Sequence, residues 1–285
     1  MSGMHWNRIR AGRRRYVQLI TAILYNCHLE GFVTGKISKN GIKSLCTPGL
    51  NCYSCPGAVF SCPLGSIQSA LAKSVFRFPL YIVGTLLLFG ILFGRMICGF
   101  SCPFGLIQEL IYRIPLPKLK KRRITHHLSY FKYVILVFFV IAIPLTQLTP
   151  GFCKYICPAG TLEAAIPLLL LNENLRRSLG WLFSWKVLLL ALCVLLCSFC
   201  YRAFCRFFCP FGAIYALLNP ISFFGIHVEK EKCTGSRCNA CIKYCKLDTI
   251  HVGDRECIMC GECVSRCPKN AIGYKGLKVC SKKER

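Results

Sequence analysis

Apolar residues dominate four stretches of this chain, at 16–33 (YVQLITAILYNCHLEGFV), 78–97 (FPLYIVGTLLLFGILFGRMI), 131–149 (FKYVILVFFVIAIPLTQLT) and 181–200 (WLFSWKVLLLALCVLLCSFC). A bilayer core roughly 30 Å thick takes about 20 apolar helical residues. The pattern therefore predicts four membrane-spanning helices, the first weakened by His28 and Glu30 near its far end and the third kinked at Pro144. The run TLEAAIPLLLL at 161–171 is too short to span and reads as interfacial or re-entrant. From about Gly225 the pattern turns polar, with only the short apolar pieces GIHV, TIHV and AIGY, which suit small strands. Two domains are expected: a helical membrane domain over 1–224 and a small α+β domain over 225–285.

Between the apolar runs one motif recurs: FSCPLGSIQSAL from Phe60, FSCPFGLIQELI from Phe100, YICPAGTLEAAI from Tyr155 and FFCPFGAIYALL from Phe207. Each is Cys-Pro-x-Gly leading into an apolar, helix-like run. Proline suits the first helical position because its missing N–H would be unpaired there anyway. The cysteine before it then stands at the N-cap, where free amides and the positive dipole end favour a thiolate or an anionic cluster. In the last three copies a second cysteine lies four residues earlier, at Cys98, Cys153 and Cys205; in the first copy Ala58 holds that place, and Cys52 and Cys55 lie upstream. The order of span and motif repeats, so the membrane part reads as an internal duplication. The helix from Phe104 is expected to present Ile107, Leu110, Ile111 and Ile114 on one interfacial face.

Counting sides along four spans puts Cys98, Cys102, Cys205 and Cys209 on one face. Four thiolates are the ligand shell of one [4Fe–4S] cluster. The other face receives Cys52, Cys55 and Cys62 with Cys153 and Cys157. There a second cluster on Cys62, Cys153, Cys157 and one of Cys52 or Cys55 is expected in preference to a disulfide; Cys46 is a further possible member. The three thiols Cys193, Cys197 and Cys200 recur along the fourth span and read as small hydrophobes. Cys27 and Cys280 read as bystanders.

Composition sharpens this picture. The chain is 54% hydrophobic with mean hydropathy +0.47, yet it carries 37 Lys and Arg against 11 Asp and Glu. Basic and apolar together indicate a membrane protein with cationic loops; a nucleic-acid partner would call for a polar, soluble body. Arg8, Arg10, Arg13, Arg14 and Arg15 precede the first span, and YRIPLPKLKKRRITHHLSYFK follows the second. The Lys/Arg bias thus predicts a multi-pass protein of the cell membrane with both termini cytoplasmic, its first span uncleaved. His126 and His127, inside that basic connection, read as solvated or lipid-facing.

The 23 cysteines fall mostly into short spacings, which indicates ligands and not disulfides. Near the C-terminus CTGSRCNACIKYC uses Cys233, Cys238, Cys241 and Cys245, and CIMCGECVSRCP uses Cys257, Cys260, Cys263 and Cys267. The second is the bacterial ferredoxin run, in which the fourth cysteine serves the other cluster. One [4Fe–4S] cluster is therefore assigned to Cys233, Cys238, Cys241 and Cys267, and another to Cys257, Cys260, Cys263 and Cys245. A zinc ribbon would leave half of these eight unexplained. The first run departs from the ferredoxin pattern by two extra residues before Cys238, and Lys246 stands where proline is usual.

Four spans, paired Cys-x3-Cys-Pro motifs and a C-terminal double-cluster segment resemble the NapH/MauN-type membrane ferredoxins, to which the membrane half of NosR and CcoG are related. The resemblance implies a ferredoxin-like 2[4Fe–4S] domain at the C-terminus. It also implies electron transfer between membrane quinol and a partner such as a ferredoxin, flavoprotein or reductase. The third pair, Cys153/Cys157, and the cysteines at 52–62 depart from it, which leaves the quinone assignment open. A metal-reducing or assembly factor of CcoG type and a redox-sensing regulator of NosR type are the alternatives. No nucleotide-binding loop or hydrolase motif appears, so the chain is expected to act as the electron-transfer component of an oxidoreductase system.

Overall fold

The helices His126–Gln147 and Trp181–Phe199 are long and apolar enough to cross a membrane. Their outward residues are bare, with Val137 and Leu188 each 60% exposed, as a lipid-facing surface requires. These helices belong to a computed structural model that describes residues 2–38, 41–73, 79–119, 123–177, 179–235, 238–247, 249 and 251–275. Cys280 and the 120–122 part of the basic connection lie outside the described residues.

Two predicted spans are shorter than the sequence pattern suggested. The first helix, Ser2–Tyr25, stops at Tyr25. There Asn26 donates to Ala22 O at 3.1 Å and to Asn51 Oδ1 at 3.0 Å, and His28 Nδ1 lies 3.2 Å from Pro56 O. Residues 26–33 are thus folded against the loop that carries Cys52 and Cys55 and do not continue the helix. The second, Leu80–Phe93, has 14 residues, about 21 Å at 1.5 Å per residue. It ends at Gly94, whose φ of 51° needs glycine. Its Cβ position would also fall 2.6 Å from Asn219 Oδ1.

The kink expected at Pro144 takes the form of a π-helical stretch, Leu136–Ala142, just before Ile143-Pro144. A second π stretch, Gly160–Ala165, precedes Ile166-Pro167. Each widened turn makes room for a proline that cannot donate to the turn before it.

Helices Pro63–Leu71, Pro103–Ile111 and Pro210–Leu218 each begin with proline after an extended cysteine N-cap. The second of these turns its apolar face outward, as expected of an interfacial helix. Phe104, Gln108 and Glu109 point inward, while Leu110 and Ile114 are exposed. Its inward side carries two polar side chains, Gln108 and Glu109, next to thiols and buried arginines. Around them Leu64, Phe104, Phe152, Phe204, Phe211 and Tyr215 form the core.

The C-terminal region pairs Gly225–Val228 antiparallel with Ile272–Lys275. The TIHV piece forms no strand among its described residues. This region packs tightly on the helical part. Asn219 donates to Asp254 O at 2.8 Å. Glu256 is held by Lys132 at 2.5 and 2.6 Å and by Arg95. Gly99 meets Ile258, so that a Cβ at Gly99 would fall 2.5 Å from the Ile258 carbonyl oxygen.

Candidate metal centres

In all four motifs the glycine of Cys-Pro-x-Gly has the same use. Its N–H, free at the start of a helix, lies toward the cysteine sulfur: Gly160 donates to Cys157 Sγ at 3.4 Å, and the Gly65, Gly105 and Gly212 amides act to lower the thiol pKa of Cys62, Cys102 and Cys209 from the same position. Its missing side chain also leaves room for the neighbouring cysteines. A Cβ at Gly65 would approach Cys153 Sγ to 3.9 Å, and one at Gly160 would approach Cys52 Sγ to 3.8 Å and Cys157 Sγ to 3.9 Å. The proline, the glycine and the helix start together place a thiol at a ring of amides suited to an anion.

The structure gathers these thiols into quartets drawn from both halves of the chain. Cys52, Cys62, Cys153 and Cys157 are mutually close enough for each to feel the charge of others. Of the two upstream candidates, Cys52 lies within charge reach of Cys62, Cys153 and Cys157, and Glu163 accepts from its backbone N–H at 2.8 Å. Cys46 turns aside toward Ser66 at 4.0 Å. Cys98, Cys102, Cys205 and Cys209 form a second such group.

In the C-terminal region Cys245 keeps company with Cys257, Cys260 and Cys263. Cys233, Cys238, Cys241 and Cys267 line one cavity. Among the described residues no three Cys, His, Asp or Glu side chains stand close enough to share a single metal ion. The quartets instead frame spaces, and a four-iron cube takes one thiolate per iron.

Electrostatics fits such a group. Burial first, then neighbouring sulfur, pushes the Cys62 thiol up to about 12, and burial likewise pushes Cys157 up to about 12. Cys52 and Cys102 are raised for the same reason. Thiols so placed give up their protons to solvent only when a cation such as iron takes the proton's place on sulfur. Cys205 is the exception. A hydrogen bond from Cys209 outweighs burial and, with Arg202 and Gln108, brings it down to about 6.

Charged residues that the sequence pattern did not flag surround the Cys98 quartet. Arg95 and Arg202 are both fully buried. Arg95 donates to Cys205 O at 3.4 Å, and Arg202 donates to Cys98 O, so each crosses to the other half's cysteine loop. Arg202 adopts φ 51°, a strained position for a residue with a side chain. Glu109 accepts from Arg202 Nε at 2.9 Å, from Arg14 at 2.7 and 2.8 Å and from Tyr201 at 2.7 Å. Burial alone would raise the Glu109 carboxyl; Arg202 and Arg14 hold it at about 2. Arg14 and Lys132, counted in the sequence as basic flanks, are thus internal ion-pair partners. Around the Cys62 quartet stand Lys186, donating to Cys153 O at 3.4 Å, and the buried Lys43.

Two more residues carried no sequence signal beyond their place in the repeat. Gln68 donates to Cys153 Sγ at 3.3 Å and Gln108 to Cys205 Sγ at 3.0 Å. Cys197, read as a small hydrophobe, donates to Gln108 Oε1 at 3.5 Å.

Two family models, both described as 4Fe-4S binding domains, match the chain. One covers residues 78–122, 131–169 and 181–229, and the other 252–273. Each of the first three segments holds one Cys-x3-Cys-Pro pair. An uncharacterized protein of Methanocaldococcus jannaschii, MJ0749, is 30% identical over 67% of this chain and 68% of its own length. The putative electron transport protein YccM of Escherichia coli K12 is 26% identical over 73% of this chain and 57% of its own length. The ferredoxin-type protein NapH of the same organism is 25% identical over 74% of this chain and 72% of its own length. No solved structure matches. Apolar helices, matched cysteine segments and these relatives together describe an iron–sulfur electron-transfer protein that uses [4Fe–4S] clusters, and the chain belongs to the NapH-type 4Fe–4S polyferredoxins.

Proposed function

We propose that this protein is a multi-pass membrane electron carrier with four [4Fe–4S] clusters in a row. Its ligand sets are Cys233/Cys238/Cys241/Cys267, Cys245/Cys257/Cys260/Cys263, Cys98/Cys102/Cys205/Cys209 and Cys52/Cys62/Cys153/Cys157. The observation that carries the reading is the sequence of contacts between the sets. Residues 233–245 and 257–267 exchange their fourth cysteines. Ile258, next to Cys257, packs on Gly99, next to Cys98. Cys193 lies within electrostatic reach of both Cys205 and Cys157. Neighbouring sets are therefore adjacent throughout. When bound, the clusters supply one-electron redox chemistry. The protein's own residues hold sulfur at helix starts, exclude water and fix the charges nearby.

On this reading the membrane domain is an internal duplication with four crossings. The Cys98 set lies at the cytoplasmic face with both termini, and the Cys62 set at the outer face. Electrons pass between the quinone pool or an outer-face redox partner and a cytoplasmic partner. The bare apolar surface supports the lipid contact, and the relatives' names support the electron-transfer role.

The test is iron and sulfide per chain, with EPR, on anaerobically purified full-length protein. Four clusters' worth of iron is expected, and Cys62→Ser with Cys157→Ser should remove one cluster's worth. An unchanged count, with a disulfide between two of these cysteines in the parent, overturns the Cys62 set. A reporter after Arg285 that is active only outside the cytoplasm overturns the orientation.

A further inference from the structure

Position six after the motif cysteine is Gln68 in the first copy, Gln108 in the second, Glu163 in the third and Tyr215 in the fourth. All four side chains point into the domain, and Gln68, Gln108 and Tyr215 are at most 1% exposed. What they do there differs by half. The two glutamines, both from the first half of the membrane domain, donate to a sulfur of the second half: Gln68 to Cys153 at 3.3 Å and Gln108 to Cys205 at 3.0 Å. Each target is the first cysteine of its Cys-x3-Cys pair. Glu163 and Tyr215 do not reach sulfur. They reach back to one loop, where Glu163 accepts from Cys52 N at 2.8 Å and Tyr215 donates to Pro48 O at 2.8 Å.

The direction of each amide is fixed by its other partners. Gln68 Oε1 accepts from Phe152 N at 2.8 Å, and its Nε2 donates to Leu64 O at 3.1 Å. Gln108 Oε1 accepts from Cys205 N at 3.4 Å and from the Cys197 thiol at 3.5 Å, and its Nε2 donates to Phe104 O at 3.4 Å. Exchanging oxygen and nitrogen would set N–H against N–H and C=O against C=O in both places. With one hydrogen of each NH2 on the carbonyl four residues back, the other is committed to sulfur. A buried amide that satisfies two backbone groups in passing is costly to place and is not needed for the helix itself.

We propose that Gln68 and Gln108 are a matched pair of tuning residues, one for each membrane cluster. The inference rests on the reading that the two membrane quartets bind clusters, with Cys153 and Cys205 Sγ standing for ligand thiolates. An N–H directed at a ligand sulfur stabilises the more negative, reduced cluster and raises its reduction potential. Each cluster receives one such side-chain donor, always from the first half, so the two carriers are adjusted by the same device at the same ligand position. That keeps their potentials in step while other charges set them apart.

The experiment is an EPR-monitored redox titration of full-length, anaerobically prepared protein. Gln108→Met keeps length and removes the donor. It is expected to lower the midpoint of the Cys98-set cluster and leave the Cys62-set cluster unmoved; Gln68→Met is expected to do the reverse. Full iron content with both midpoints unchanged overturns the proposal. A second measurement needs no substitution. In the parent protein labelled with [15N]glutamine, pulsed EPR should detect a side-chain 15N coupling to each membrane cluster, and its absence equally overturns the proposal, even if a Met variant fails to assemble. Parent protein whose iron accounts only for the C-terminal pair of clusters would instead sink the four-cluster reading on which this one stands.

Discussion

The Cys98 and Cys62 quartets share a helix start, a glycine N–H on sulfur and a glutamine donor, but they stand in different charge. Arg95 and Arg202 reach in beside the first, each paired with a carboxylate, Glu256 and Glu109. The second has Lys186 at a carbonyl and Lys43 over the Tyr53 ring at 4.7 Å. It also has Glu163, whose carboxyl burial pushes up to about 7. A guanidinium is planar and locked by several donors, whereas an ammonium is a strongly hydrated point charge on a flexible stem. The lesson is that a repeated motif sets where the thiols gather, and the unrepeated charges set the surroundings of each group. On the proposed four-cluster reading, the two sites therefore differ in how firmly their nearest cations are held.

Removing a charge partner tests that contrast most severely at Glu256. Glu256→Ala leaves Arg95 and Lys132 buried and uncompensated, and the loss of stability is expected to be about 3–5 kcal/mol. Chemical denaturation in detergent reads it, and a loss below about 1 kcal/mol would show that the arginine frame does not depend on the docked C-terminal region.

Glu109→Gln is expected to cost about 3 kcal/mol at neutral pH, from a carboxyl lowered from 4.5 to about 2. A depressed carboxyl contributes fully above its unfolded value and loses that contribution as pH falls toward its folded one. The gap between parent and variant should therefore hold above pH 4.5 and close as pH falls toward 2. A gap that stays constant across that window would mean the carboxylate charge is not what holds Arg14 and Arg202.

The smallest effect is expected at the other quartet. Lys186→Met should lower the midpoint of the Cys62-set cluster slightly and leave the Cys98-set cluster alone. Equal movement of both would show that the two sites share one electrostatic environment, and the contrast would dissolve.

The sequence carries some of this openly and hides the rest, for physical reasons. Cys-Pro-x-Gly is legible because the cap, the proline and the free amide all lie within four residues. The long apolar helices are legible because lipid imposes a single rule on their surface. The helix after Cys102 turns its apolar residues outward, as an interfacial face should, but that pattern does not reveal what Gln108 and Glu109 do inside. In water that pattern would be reversed. Arg14 and Lys132 do mislead. They lie within basic stretches, and only the fold brings Glu109 and Glu256 to them from 95 and 124 residues away. The break at Tyr25 depends on Asn26 meeting Asn51, a contact that no local pattern encodes.

Gly99 has no chemistry of its own, yet its bare Cα lies against the Ile258 carbonyl. Electron tunnelling slows steeply with every added fraction of an ångström between carriers. A single methyl group at residue 99 would push the Cys257 loop away from the Cys98 loop without touching a ligand or a charge. On the proposed four-cluster reading, the pace of the relay is therefore governed at this point by the absence of one carbon atom, and that position is a clock setting rather than a binding site.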